Sequence, residues 1–266
     1  MSKIKARQDI ESAIAESIDS PSFVRHLLTG TLGWPVPADA TVEDIAYDYT
    51  PGEVGAPKLD AKITAGKIRQ IVLPNCPWGI FILEFKRSEV FTTGRGLTGP
   101  LRQLLNGLVK HGRRNPSLPS FHREHLLFIC THEYKHYRFA HFRAPTDDYK
   151  APPLASFGWG PGDSVKTVAD YNLPKLAYLD SSGASVDDWI AKWTSAFDVE
   201  RVTKKFYADY QELHDRFKLA ALHVQSENDR PWLASVVLNR LMFVYFLQKK
   251  GFVDNGNERY LEEKLG

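Results

Sequence analysis

The stretch Trp78-Gly-Ile-Phe-Ile-Leu-Glu84-Phe-Lys86-Arg87 constrains this chain most, because an apolar strand ends there in two opposite charges one residue apart. Side chains alternate along a strand, so Glu84 and Lys86 are expected on one side and Phe81, Leu83 and Phe85 on the other. A strand this apolar belongs in the middle of a sheet, covered on both faces. Two charges at its end cost on the order of several kcal/mol unless they pair or bind something. A carboxylate able to hold a divalent cation, beside an ammonium able to orient a water, is the equipment of phosphodiester hydrolysis. The competing reading is a plain ion pair where the chain surfaces, since E-x-K is a short pattern.

The surrounding charge favours a phosphate-bearing partner. Between Lys86 and Lys150 twelve lysines and arginines face five acids, so the segment carries +7 while the whole chain carries only +2. Arg87, Arg95, Arg102, Lys110, Arg113 and Arg114 lie in this window and are the candidate DNA-contacting residues. A basic region that begins at the candidate site is the electrostatic footprint of a phosphate-backbone binder, although a solvated positive face without a ligand gives the same count.

Other features bound the class. At 266 residues, with 43% hydrophobic and 25% charged side chains, the chain reads as an ordinary soluble protein of one or two domains. Cys76 and Cys130 form no CxxC pair, and two cysteines give no disulfide framework, which suits a reducing cytoplasm. The start, Met-Ser-Lys-Ile-Lys-Ala-Arg, lacks the apolar run of a signal peptide, and the run from Leu241 to Leu247 is too short to cross a bilayer. No membrane attachment is expected.

The periodicity predicts a mixed α/β segment followed by helices. Residues 6–29 have helical spacing with a break at Ser20-Pro21; 42–50 alternate as a strand; 67–73 and 79–86 form a hairpin across Pro74 to Pro77. Gly99-Pro100 opens a helix through Val109, and His125 to Thr131 is a strand with Tyr137 to Phe142 as its hairpin partner. Residues 145–185 read as an ordered loop region. Helices then follow from Asp187, at roughly 199–223 and 231–250, the last apolar on nearly every side and therefore expected to be buried. The expected domains are 1–185 and an all-helical 186–266.

The E-x-K site needs a second acid, because one carboxylate binds a hard cation weakly. Asp60 in Lys58-Leu-Asp60-Ala-Lys is the best candidate, with Asp48 and Glu53 as alternatives. If the hairpin turns at 75–78, the residue opposite Glu84 is Arg69 or Gln70, so Asp60 must arrive from a preceding element. Gln103, on the following helix, is a candidate supporting ligand. Gly94-Arg-Gly96-Leu-Thr-Gly99 matches G-x-G-x-x-G, but no acid follows at the position where a ribose partner belongs. His122, His125, Cys130, His132, His136 and His141 match no compact zinc spacing.

Glu84-Phe-Lys86 at a strand end, followed by a helix and another apolar strand, resembles the PD-(D/E)xK restriction-endonuclease-like core. The series His125-Leu-Leu-Phe-Ile, Phe139-Ala-His-Phe142, Trp193-Thr-Ser-Ala-Phe197 and Leu238-Asn-Arg-Leu-Met-Phe-Val-Tyr-Phe-Leu-Gln-Lys-Lys-Gly251 makes nearly the whole chain similar to the amino-terminal part of Eco57I-like type IIG restriction–modification proteins. That resemblance implies an α/β fold, a restriction-endonuclease-like mixed sheet flanked by helices, with a helical connector leading to an adenine methyltransferase domain of the same longer protein. The Asn-Pro-Pro-Tyr type motif of that domain is absent from this chain. It further implies double-stranded DNA as substrate, Mg²⁺ (or Mn²⁺) held by Glu84 and Asp60, and an attacking water positioned by Lys86. Arg87 would help to stabilise phosphate charge, and a homodimer could cut both strands. The missing acid opposite Glu84 departs from the pattern and leaves open a nuclease fold that binds DNA without cutting it.

Overall fold

The computed structural model describes residues 7–92, 96–111, 121–144, 152–179, 184–221, 224, 226–249, 252–254, 257 and 259–265. Chain contacts divide it into two compact units, Met1–Asp198 and Val199–Gly266.

The first unit is built on a six-stranded mixed sheet whose spatial order equals its chain order: β1 (Ala46–Tyr49), β2 (Ile68–Ile71), β3 (Gly79–Glu84), β4 (Leu126–His132), β5 (His136–Phe142) and β6 (Leu154–Trp159). Neighbouring strands are antiparallel except β3 and β4, which run parallel. A parallel pair needs a crossover, and the helices α4 (Glu89–Thr92) and α5 (Thr98–His111) supply it. The Glu84 strand is therefore central, as its apolar sequence predicts.

Alternation sorts the sheet into two cores. Phe81, Leu83 and Phe85 meet Leu101, Leu104, Leu105 and Leu108 of α5 on one face. Ile80, Ile82, Ile129 and Phe139 meet Ile10 and Ile14 of α1 (Arg7–Glu16) and the π-helix Phe23–Thr31 on the other. Each such side chain, fully buried, contributes about 1.5–3 kcal/mol of transfer free energy. Gly107 marks how closely α5 packs: a Cβ there would lie 2.0 Å from the Val54 carbonyl oxygen, so only glycine admits the approach.

Several sequence expectations are adjusted. The segment 42–50 begins as a helical turn, α3 (Val42–Ile45), because Thr41 and Asp44 form a reciprocal capping box; the strand starts only at Ala46. The break at Ser20-Pro21 becomes α2 (Ser20–Ser22), capped by Asp19. The supposed loop region 145–185 holds β6, whose Phe157 and Trp159 pack into the core on the α1 side of the sheet. The helix α6 (Val186–Ser195), capped by Ser185, buries Trp189 and Trp193 in that same core, so the first unit extends beyond residue 185.

The second unit contains α7 (Val199–Ala220), α8 (Asp229–Lys249) and α9 (Tyr260–Leu265). The expectation that α8 is buried all round is not met: Trp232 and Phe243 are exposed, and Ala234 and Leu238 are its buried apolar residues. One apolar helix packed against α7 and α9 can cover only part of its circumference. Among the described residues no helix is long and apolar enough to cross a membrane.

Candidate active site

Glu84 is the last residue of β3 and stands opposite Thr131 in the parallel neighbour β4. On the other side, β2 pairs Arg69 with Ile82, which moves the antiparallel register two residues from the expected Arg69–Glu84 pairing. The reason is the connection: β2 stops at Ile71, and the link to Gly79, with Asn75 at φ +55°, is wider than a tight four-residue turn. Arg69 nevertheless reaches diagonally to Glu84 on the shared face, Nη1 to Oε2 4.0 Å.

Arg69 belongs to a larger charged cluster that sequence reasoning did not assemble. Its guanidinium is almost wholly buried and lies 2.9 Å from Glu43 of α3 and 3.7 Å from Asp48 of β1. Asp48 also pairs with Lys67 at 2.5 Å. A charged residue in the run Ile68-Arg-Gln-Ile71 was the available signal, since an arginine inside a sheet must find carboxylates. Glu43 carried no such signal, because its role depends on the turn that precedes β1.

Burial raises the Glu84 carboxyl above the usual carboxylate range; Arg69 opposes that shift, Glu43 reinforces it and His132 opposes it weakly. Glu84 is thus a half-buried carboxylate whose charge is incompletely compensated. Burial also works to raise Glu43, but hydrogen bonds from Ser20 and its own backbone, with Arg69, hold it below the usual range. Beside them, Tyr134 sits in a turn with Glu133 where both φ are positive, near +50°, a conformation that costs non-glycine residues about 1–2 kcal/mol each. Burial pushes the Tyr134 phenol up to about 12.

Lys86 lies beyond the strand end, exposed to solvent. Its ammonium makes no ion pair with Glu84 and instead donates to the Asp60 carbonyl oxygen at 3.1 Å, while its amide donates to Lys62 O at 3.0 Å. Phe85 bridges to Ile63, so the end of the β3 path is stitched to residues 60–63. Asp60 follows the 3₁₀ turn Pro57–Leu59 and is exposed, with its carboxylate against Gly66. The structure therefore joins the Lys86 side chain to the Asp60 main chain, not to its carboxylate. Of the two alternative acids, Asp48 stands beside the same Arg69 guanidinium as Glu84 and pairs with Lys67, whereas Glu53 accepts from the Thr50 amide at 2.7 Å and hydroxyl at 2.8 Å.

Gln103 on α5 has a buried Oε1 without a hydrogen-bond partner and lines a pocket with Gly55, Ala56, Pro57, Lys58 and Asn106, beside the turn that delivers Asp60. Of the candidate DNA contacts, Arg87 and Lys110 are exposed, and Arg102 is half-buried with Nη2 3.5 Å from Pro152 O. Arg95, Arg113 and Arg114 lie outside the described residues, as do Gly94 and the rest of 93–95 within the glycine motif. The histidines fall into neighbouring pairs, His122 with His125 and His132 with His136, ring centroids 5.4 and 5.8 Å apart, and among the described residues no three metal-ligating side chains gather. His141 is buried against Trp78 and its imidazole is pushed down to about 4 by burial, Cys130 is inside the opposite core, and His132 Nδ1 is 2.8 Å from Phe85 O.

These donors fit a hard divalent cation in kind. Glu84 offers a partly exposed carboxylate two residues before Lys86, and the Asp60 main-chain carbonyl accepts a hydrogen bond from Lys86. Among the described residues no three His, Cys, Asp or Glu side chains gather into a ready-made cage. Mg²⁺ commonly keeps several waters and takes only one or two protein carboxylates together with substrate phosphates. No protein family, curated protein or solved structure matches the chain.

Proposed function

We propose that the first unit is a nuclease-like domain of a restriction–modification or phage-defence protein that hydrolyses phosphodiesters of double-stranded DNA with a divalent metal. The observation that carries this reading is the bond from Lys86 Nζ to Asp60 O, 3.1 Å, which ties the E-x-K strand end to the second acid named from sequence. Glu84 and Asp60 would hold Mg²⁺, or Mn²⁺ in its place, and the bound ion would supply charge stabilisation at the phosphate. Lys86, free at its tip to exchange the Asp60 carbonyl for a water, orients the nucleophile by donating a hydrogen bond to its oxygen. Gln103 contributes a polar group from α5 beside the same turn, and Arg87 adds positive charge next to the scissile position. Arg102 and Lys110 add positive charge along α5.

Incubating the protein with supercoiled plasmid and Mg²⁺ or Mn²⁺ tests it. Cleavage in the parent that falls at least about a hundredfold in both Glu84→Ala and Lys86→Ala supports the reading. Equal cleavage in all three proteins contradicts it. A second reading, a DNA-docking module without catalysis, draws on the Arg69–Glu84 pair, which already neutralises part of the carboxylate. It predicts salt-dependent DNA binding with no cleavage under any metal.

A further inference from the structure

Arg69 stands inside β2 with its guanidinium buried and three carboxylates around it, yet only one of them is close. Glu43 is at hydrogen-bond distance, 2.9 Å. Asp48 is 3.7 Å from Nε, which has no hydrogen-bond partner, and Glu84 is 4.0 Å from Nη1. A guanidinium bonds carboxylates best when both arms of its planar fork are engaged. Here the fork is divided among three acids and leaves two of the contacts long. Lys67 covers part of Asp48. The remaining deficit of positive charge falls on Glu84, the most distant of the three and the one that belongs to the E-x-K pair.

A contact shared this way shifts when any one partner changes. A small rotation toward Glu84 would turn the long contact into a hydrogen bond and fill the oxygen that a cation needs, and two cations at one carboxylate repel. We infer that Arg69 is a built-in counter-ion that competes with a divalent cation for Glu84 and is held back from it by Glu43. This rests on the metal-dependent reading above and adds what sets the affinity of that site. Glu43 then acts as a positioning residue that never touches the metal, and its loss weakens metal binding by handing Arg69 to Glu84.

The two substitutions have opposite signs, which makes the inference easy to overturn. Mn²⁺ is titrated into the full chain without DNA, and the free ion is followed by its electron paramagnetic resonance signal. Arg69→Met is expected to bind Mn²⁺ at least about threefold more tightly than the parent, and Glu43→Gln at least about threefold more weakly. The gain in Arg69→Met disappears when Glu84→Gln is added. If Arg69→Met does not fold, Arg69→Lys, whose shorter reach toward Glu84 and single point charge weaken the competition, is expected to shift in the same direction. Equal affinity in the parent, Glu43→Gln and the Arg69 variant overturns the counter-ion while leaving a metal site in place. Absence of Mn²⁺ binding in every form overturns both.

Discussion

Glu84 holds its charge in a half-buried position where Arg69 stands 4.0 Å away and Glu43 pushes in the opposite direction, so ionisation is a cost to the folded state as well as a resource. The sign of that cost is testable. A carboxyl raised by folding contributes its stability fully below the ordinary glutamate value of 4.5 and loses it as pH rises through the higher folded value. Glu84→Gln has nothing to lose in that window. In metal-free buffer the variant is therefore expected to melt no earlier than the parent at neutral pH. The difference should be under about 1 kcal/mol and should vanish near pH 4. Thermal unfolding of both proteins between pH 4 and pH 7 measures it, and a Gln variant that loses stability as pH rises would contradict the electrostatics described here. Mg²⁺ should reverse the order at neutral pH, because only the parent retains the ligand.

At the scale of elements, α5 packs against the backbone of Val54 and Gly55, just before the Asp60 turn, and Gly107 is the residue that permits it. Alanine is the better helix former by about 1 kcal/mol, so propensity alone predicts that Gly107→Ala stabilises. The Cβ would instead lie 2.0 Å from Val54 O, and the expected result is a loss of about 2 kcal/mol or more in urea unfolding. Much of this level was legible in the sequence. The apolar run to Leu83 gave a central strand, Gly99-Pro100 gave the start of α5, and His125 to Phe142 gave a hairpin. What failed to show has physical causes. The capping box at Thr41 turned an alternating segment into a helical turn. The short, small-residue strand Leu154–Trp159 was hidden because only its aromatic positions mark the buried face. The β2–β3 register depends on the shape of the 72–78 connection, which no local pattern encodes. Within the candidate site, Glu84, Lys86, Asp60 and Gln103 were nameable from spacing and Arg69 from the expected hairpin, whereas the true Arg69 register and the place of Glu43 needed the fold.

The whole molecule divides after Asp198, and the two units differ in how they are held together. Residues up to 198 enclose two aromatic and aliphatic cores on either face of the sheet, with Trp189 and Trp193 of α6 inside one of them. A chain ending at Asp198 is expected to unfold in one cooperative transition, whereas a chain ending at 185 loses both tryptophans from the core and should unfold at markedly lower denaturant. Far-ultraviolet circular dichroism of the two truncations in urea separates these outcomes. The proposal turns on Asp60, whose main-chain carbonyl accepts the Lys86 hydrogen bond. Its most direct test measures DNA cleavage and DNA affinity on the same preparation of Asp60→Asn, cleavage with Mg²⁺ and affinity in chelator. Cleavage is expected to fall at least about a hundredfold while affinity changes by no more than about threefold. Undiminished cleavage by the Asn variant, or a parent protein that binds duplex DNA and never cuts it, would contradict the account.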